Sequence, residues 1–269
     1  MNRIFALLPL LLFCPPAVCA PIFAPGAVTE IRVELPRSVR MTAGGGRLSP
    51  VSTALVTIAV PADFDVAREW PVMFVSATSD PGYNSSRGLL DEYAASALAA
   101  GWVLVAADPA EKIPQELDTI ALRYALNNAA FGVLEQQWPL AARSPLAFGG
   151  FSGGAKYSGW LAAAYRSQGR RIVGVFFAGI SQDVMVAAAR QFDVLDDDFK
   201  RLPIFLSAGD RDNVATPSDH RAVYTELGRA GFLRVKLEFF HGVHEPSVAA
   251  LRQALEWFRE TPTGPAGRG

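Results

Sequence analysis

The chain has 269 residues, half of them hydrophobic, and a formal net charge of −1 at neutral pH. That length allows one large domain or two small ones and supplies a sizeable core. The near-neutral balance, with no long basic run, argues against nucleic acid as the main partner.

At the start, Arg3 is followed by an apolar run over residues 4–13 and then by small residues near Val18-Cys19-Ala20. This is the layout of a secretory signal peptide, and the run is short for a transmembrane helix; the alternative is an uncleaved membrane anchor. Residues 1–20 are therefore read as a signal, its end falling between 19 and 24. The product is expected to be secreted or periplasmic, with no stable membrane span after cleavage. Both cysteines, Cys14 and Cys19, lie in this segment. A mature domain beginning near Pro21 then has no disulfide, no thiolate nucleophile and no cysteine metal site.

Ile31, Val33 and Leu35 alternate with polar residues and predict a half-buried strand. Residues 41–50 contain Gly44-Gly45-Gly46 and end in Ser49-Pro50, so they read as a loop. Residues 55–60 form a second strand, antiparallel to the first. A polar connection over 61–70 leads to a short apolar strand at 71–75. Residues 78–86, rich in Ser, Asp, Pro, Gly and Asn, read as a loop. Residues 89–100 have helical composition, with Gly101 as the stop. Residues 102–107 are a continuous apolar run ending at Asp108-Pro109, as in strands buried on both faces. A long helix is expected over 116–134.

Residues 145–151 form a strand and 153–167 a helix. Another strand follows at 172–178, then a helix within 181–200 that gives way to an acidic connection at Asp196-Asp197-Asp198, read as solvated. After a strand at 203–207, Thr216 as N-cap, Pro217 at the first position and Asp219 in the first turn open a helix running to about Arg229. The last strand is 235–240. Pro246 opens a final helix whose Val248, Leu251, Leu255 and Phe258 share one face. The Pro/Gly-rich residues 261–269 read as a frayed tail.

Strands alternating with helices give an α/β domain over residues 21–260. Its central sheet is mostly parallel, with helices on both faces and an antiparallel N-terminal strand pair. Functional groups in such sheets gather at the carboxyl ends of the strands. Four places qualify: residues 77–79, Ser152, residues 209–212 and residues 241–244.

Gly150-Phe151-Ser152-Gly153-Gly154 joins a strand to a helix. Gly-x-Ser-x-Gly in that setting is a nucleophile elbow; the bland alternative is a glycine-rich turn with an ordinary serine. A serine hydroxyl needs a base, and the base needs an orienting acid. Of the three histidines, His220 lies inside a predicted helix and reads as a surface residue. His244, in the loop before the last helix, is favoured over His241, whose bland role is to close the strand. Asp212 reaches farther than Asp210, which is read as holding its own loop through backbone hydrogen bonds. Lys156 and Tyr157 read as scaffold rather than substrate contacts. Trp70, Trp138, Trp160 and Trp257 read as packing rather than as a cleft lining.

The order Ser, Asp, His, together with Gly-Phe-Ser-Gly-Gly at 150–154, Gly-Asp-Arg-Asp at 209–212 and Gly-Val-His-Glu at 242–245, resembles the α/β-hydrolase superfamily, serine esterase type, over about residues 50–260. In that family the acid commonly stands three residues after a glycine beyond the seventh strand, which implies Asp212. The histidine commonly follows Gly-x, which implies His244. Val60-Pro61-x-x-Phe64-Asp65 before Trp70-Pro71-Val72-Met73-Phe74-Val75 also resembles the front end of the polyhydroxybutyrate-depolymerase and feruloyl-esterase group. The family usually has His-Gly after its third strand; this chain has Ala77-Thr78.

An oxyanion hole uses backbone N–H groups, so side chains need not match. Gly153 would supply one donor, and Thr78 or Ser79 the other. The expected activity is that of an exported carboxylic ester hydrolase forming an acyl-enzyme on Ser152. Its substrate would be a small-molecule or polymer ester, with no cofactor and no metal, because no zinc-type histidine spacing is present. The alternatives are a non-catalytic binding protein on the same scaffold and, ranked below it, a peptidase.

Overall fold

The computed structural model describes residues 23–260. The expected signal segment and the tail at 261–269 lie outside the described residues.

Eight strands form one sheet: β1 (Val28–Glu34), β2 (Thr53–Ala59), β3 (Val72–Ser76), β4 (Val103–Pro109), β5 (Leu146–Phe151), β6 (Ile172–Ala178), β7 (Ile204–Gly209) and β8 (Val235–Phe240). They are ordered β1-β2-β4-β3-β5-β6-β7-β8. β1 pairs antiparallel with β2, and β2 antiparallel with β4. All remaining pairs are parallel. The helices are α1 (Arg37–Ala43), α2 (Ser86–Ala99), α3 (Ile120–Gln137), α4 (Gly153–Ser167), α5 (Met185–Gln191), α6 (Asp197–Lys200), α7 (Pro217–Arg229) and α8 (Val248–Arg259).

The pleat divides the core in two. Val72, Phe74, Val103, Val105, Phe148 and Phe177 point to one face, under α1, α3, α4, α5 and α7. Met73, Val75, Leu104, Ala106, Phe176 and Phe205 point to the other, under α2 and α8. With both faces covered, every residue of β3 and β7 is buried, which is why these strands read as unbroken apolar runs. β1, at one edge, keeps only alternate residues partly covered.

Several boundaries differ from expectation. A helix, α1, occupies part of the stretch read as a glycine loop; the glycines end it, with Gly44 as its C-cap. α2 begins at Ser86 because Ser85 Oγ accepts the Gly88 N–H. The acidic connection is a cap: Asp196 accepts the Phe199 N–H at 2.7 Å and opens α6. α8 starts after Ser247, whose hydroxyl accepts the Ala250 N–H, rather than at Pro246. α7 carries the expected cap, completed into a reciprocal box by Thr216 and Asp219, a device worth about 1 kcal/mol. Trp70 and Trp138 are core residues.

Candidate active site

β5 ends at the elbow. Ser152 has φ 56° and ψ −120°, a left-handed conformation that costs a non-glycine residue about 1–3 kcal/mol. The glycines on either side make this turn possible. A methyl on Gly150 would fall 2.3 Å from the Gly154 carbonyl, and one on Gly154 would fall 1.9 Å from the Ser76 carbonyl oxygen. The strand, the turn and the first turn of α4 therefore touch backbone to backbone. The Ser152 N–H donates to Ala178 O at 2.8 Å, which fixes the elbow against β6. The side chain is half-buried at the carboxyl end of the sheet.

The loops after β7 and β8 are laced together. The Asp210 N–H donates to Phe240 O and the Arg211 N–H to Gly242 O, both at 2.9 Å. This brings Asp212 and His244 together: His244 Nδ1 lies 2.7 Å from Asp212 Oδ2. The other carboxylate oxygen, Oδ1, accepts the N–H groups of Val214 and Ala215 at 2.8 and 2.9 Å. With its proton on Nδ1, His244 donates to the carboxylate and leaves Nε2 free to accept. The pair is well covered, with side-chain exposures of 17% for His244 and 2% for Asp212. The His244 ring packs on Phe151, next to Ser152 in sequence, with centroids 4.6 Å apart. A methyl on Gly179 would meet His244 Cε1 and Phe151 Cε2, each at 2.9 Å. The imidazole thus stands beside the elbow. Among the described residues no hydrogen bond joins Ser152 Oγ to His244.

The second-choice pair is also formed, but elsewhere. His241 Nδ1 lies 3.0 Å from Asp210 Oδ2, while Asp210 Oδ1 accepts the Gly242 N–H at 3.2 Å. His241 is 76% exposed. The hydrogen bond from His241 holds the Asp210 carboxyl below its usual range. This pair clasps the two loops at the surface.

His220 is not a surface residue. It is fully buried in α7, with Nδ1 3.1 Å from Thr216 O. Its position three residues before Val223 and seven before Leu227, both buried, places it on the inner face of the helix, and that spacing was readable. Burial lowers its pKa, against smaller opposing effects from Thr216, Asp212 and Asp219.

The loop after β3 lies against the N-terminus of α4. A methyl on Gly153 would meet Thr78 Oγ1 at 2.7 Å and Thr78 Cα at 3.4 Å. The Ala77 N–H is taken by Ser86 Oγ at 3.2 Å. Among the described residues nothing accepts from the N–H groups of Gly153, Thr78 or Ser79. Of the two alternatives for the second donor, Thr78 is the one packed on Gly153. Ser79 sits farther along, near Gln115, whose Nε2 is 3.4 Å from Ser79 Oγ.

Behind this loop lies a network that the sequence did not reveal. Arg123, 1% exposed, forks onto Asp118 with both contacts at 2.6 Å. Its Nη1 donates to Ser86 Oγ at 2.9 Å and to Asp108 Oδ1 at 3.3 Å. Asp108 also accepts the N–H groups of Ser86 and Arg87. Burial alone would lower the Arg123 pKa, but the paired carboxylates outweigh it and the net shift is upward. Tyr157 is part of this scaffold, donating its hydroxyl to Asp118 O at 2.7 Å.

Among the described residues no group of three or more His, Cys, Asp or Glu is placed to hold a metal. No described helix is long and apolar enough to cross a membrane.

No family model and no curated protein matches the sequence. Solved structures do match. An α/β serine hydrolase without lid from Xanthomonas campestris superposes with a TM-score of 0.57 at 18% identity, covering 91% of this chain and 100% of the other. A cold-adapted esterase from an Arctic intertidal metagenomic library gives a TM-score of 0.55 at 15% identity, over 84% of this chain and 94% of that one. Acylaminoacyl peptidase from Pyrococcus horikoshii gives 0.55 at 12% identity, over 88% of this chain but 43% of the peptidase. The chain therefore has the α/β-hydrolase fold, with its serine at the elbow and its Asp–His pair on the loops after the last two strands.

Proposed function

We propose that this chain is an exported serine hydrolase that cleaves carboxylic esters. The observation that carries the reading is the covered Asp212–His244 pair standing beside a strained serine elbow. Ser152 Oγ attacks the acyl carbonyl while His244 Nε2 takes its proton. Asp212 holds the imidazole and stabilises its charged form. The N–H groups of Gly153 and Thr78 receive the oxyanion. His244 then returns the proton to the leaving alcohol. Water, activated by the same imidazole, releases the acid and frees the serine.

An ester is favoured over a peptide by the extent of the likenesses. The esterase and the lidless hydrolase correspond to this chain over nearly their whole length, the peptidase over less than half. The non-catalytic alternative draws on Ala77-Thr78 replacing the usual His-Gly. The packing of Thr78, through its side chain and Cα, on Gly153 weighs against it, since an oxyanion donor is a backbone N–H and needs no matching side chain.

The test is turnover of a panel of esters with varied acyl groups, feruloyl and acetyl-sugar esters included. Ser152→Ala should lower kcat by roughly 10⁴–10⁶. Full activity in that variant refutes the mechanism. Export is checked on the same protein by the mass of its N-terminus, expected near Pro21.

A further inference from the structure

The loop that carries the Thr78 N–H is pinned on both sides of that group. Downstream, Thr78 Oγ1 donates to Asp80 Oδ2 at 2.8 Å and accepts the Asp80 N–H at 3.3 Å. This closes a tight local turn. Upstream, the Ala77 N–H is held by Ser86 Oγ. That oxygen is in turn held by Arg123 Nη1. Two hydrogen bonds that share Ser86 Oγ therefore link a buried guanidinium to the residue immediately before the proposed oxyanion donor.

A buried guanidinium is an expensive way to fill a core. Apolar residues of similar volume often serve stability as well or better. Here the cation is also arranged to do something an apolar side chain cannot. Nε and Nη2 are spent on Asp118, and Nη1 is turned toward Ser86 and Asp108. Asp108 anchors the start of α2 to the end of β4 through the Ser86 and Arg87 N–H groups. Tyr157, on the elbow helix, binds the same assembly through Asp118 O. The network thus spans β4, α2, α3 and α4 and meets the loop at Ala77.

We propose that Ser86 and Arg123 are positioning residues for the oxyanion hole: Arg123 orients Ser86 Oγ, which holds the Ala77 N–H and so aims the Thr78 N–H toward the space above Ser152. Neither touches the reacting atoms. The proposal rests on the hydrolase reading above, but its loop geometry can be read without turnover.

Ser86→Ala removes one oxygen. It leaves the α2 cap on Ser85 and the backbone bonds to Asp108, so the fold is retained. Arg123→Lys keeps the charge but loses the fork, and serves as the second variant. Two readouts are taken: kcat and KM on an acetyl aryl ester, and amide hydrogen exchange of the peptide spanning residues 77–79. Because deleting a whole oxyanion donor costs about 10²–10³ in kcat, misaiming one should lower kcat about tenfold or more, with KM within about twofold. Exchange at 77–79 should quicken, while exchange at Gly153 stays unchanged. A kcat within twofold of wild type, a loss lying wholly in KM, or unchanged exchange at 77–79 overturns the proposal. A wild-type protein that turns over no ester refutes the hydrolase reading instead, and the exchange data alone then decide the positioning role.

Discussion

The two sides of the elbow are held by opposite means. On the acid–base side, each contact is between backbone and side chains of two short loops: Asp212 to Val214, Ala215 and His244, and Asp210 to Gly242 and His241. On the same side lies the buried His220, bonded to its own helix turn at Thr216, its pKa lowered by burial. On the oxyanion side, the loop is braced by a buried charged network of Ser86, Asp108, Asp118 and Arg123, drawn from four separate segments. Proton transfer needs one well-aimed imidazole, which a short loop can aim. The proposed second oxyanion donor, the Thr78 N–H, is backbone on a connection of its own, so its orientation is set by whatever grips that connection.

The two Asp–His pairs differ most in burial: Asp212 and His244 are covered, Asp210 and His241 exposed. Asp212→Asn should cost on the order of 10⁴ in kcat, because the imidazole loses its orienting anion and takes the wrong tautomer. Asp210→Asn should change kcat by less than about threefold, since exposed pairs contribute little. Steady-state kinetics of the two variants side by side checks this. A larger loss in Asp210→Asn reverses the assignment and moves the working pair to the surface.

This side was legible in the sequence, and the reason is physical. Gly150 to Gly154, Gly209 to Asp212 and Gly242 to Glu245 are each compact, sit at strand ends, and follow a parallel-sheet rhythm that puts them on one edge. The Thr216-Pro217-x-Asp219 cap was legible for the same reason. The oxyanion brace was not: Ser86, Asp108 and Arg123 form no motif, and only the fold brings them together. α1 was hidden because Gly44-Gly45-Gly46 dominate the local composition, although they only end the helix. His220 was read as a surface residue from its place inside a helix, away from any strand end, although it shares the inner stripe of α7 with Val223 and Leu227.

His220 gives a smaller, pH-dependent effect confined to the acid–base side. Burial holds its folded pKa below the unfolded value of about 6.5. Between the two values the unfolded chain binds a proton that the folded chain refuses. Stability is therefore unaffected by this group above about pH 6.5 and falls below it, by at most about 1.4 kcal/mol per pH unit. Urea unfolding at pH 5 to 7 measures the slope. His220→Asn, which keeps a donor near Thr216 O, should flatten it. An unchanged slope shows that other groups carry the acid sensitivity.

On the proposed mechanism Ser152 is an activated nucleophile. The most direct test is labelling of the folded protein by a fluorophosphonate probe, with the modified peptide located by mass. Modification on Ser152, abolished in Ser152→Ala and strongly slowed in His244→Ala, is the predicted result. Folded wild-type protein that takes no label, or takes it at another serine, refutes Ser152 as the nucleophile.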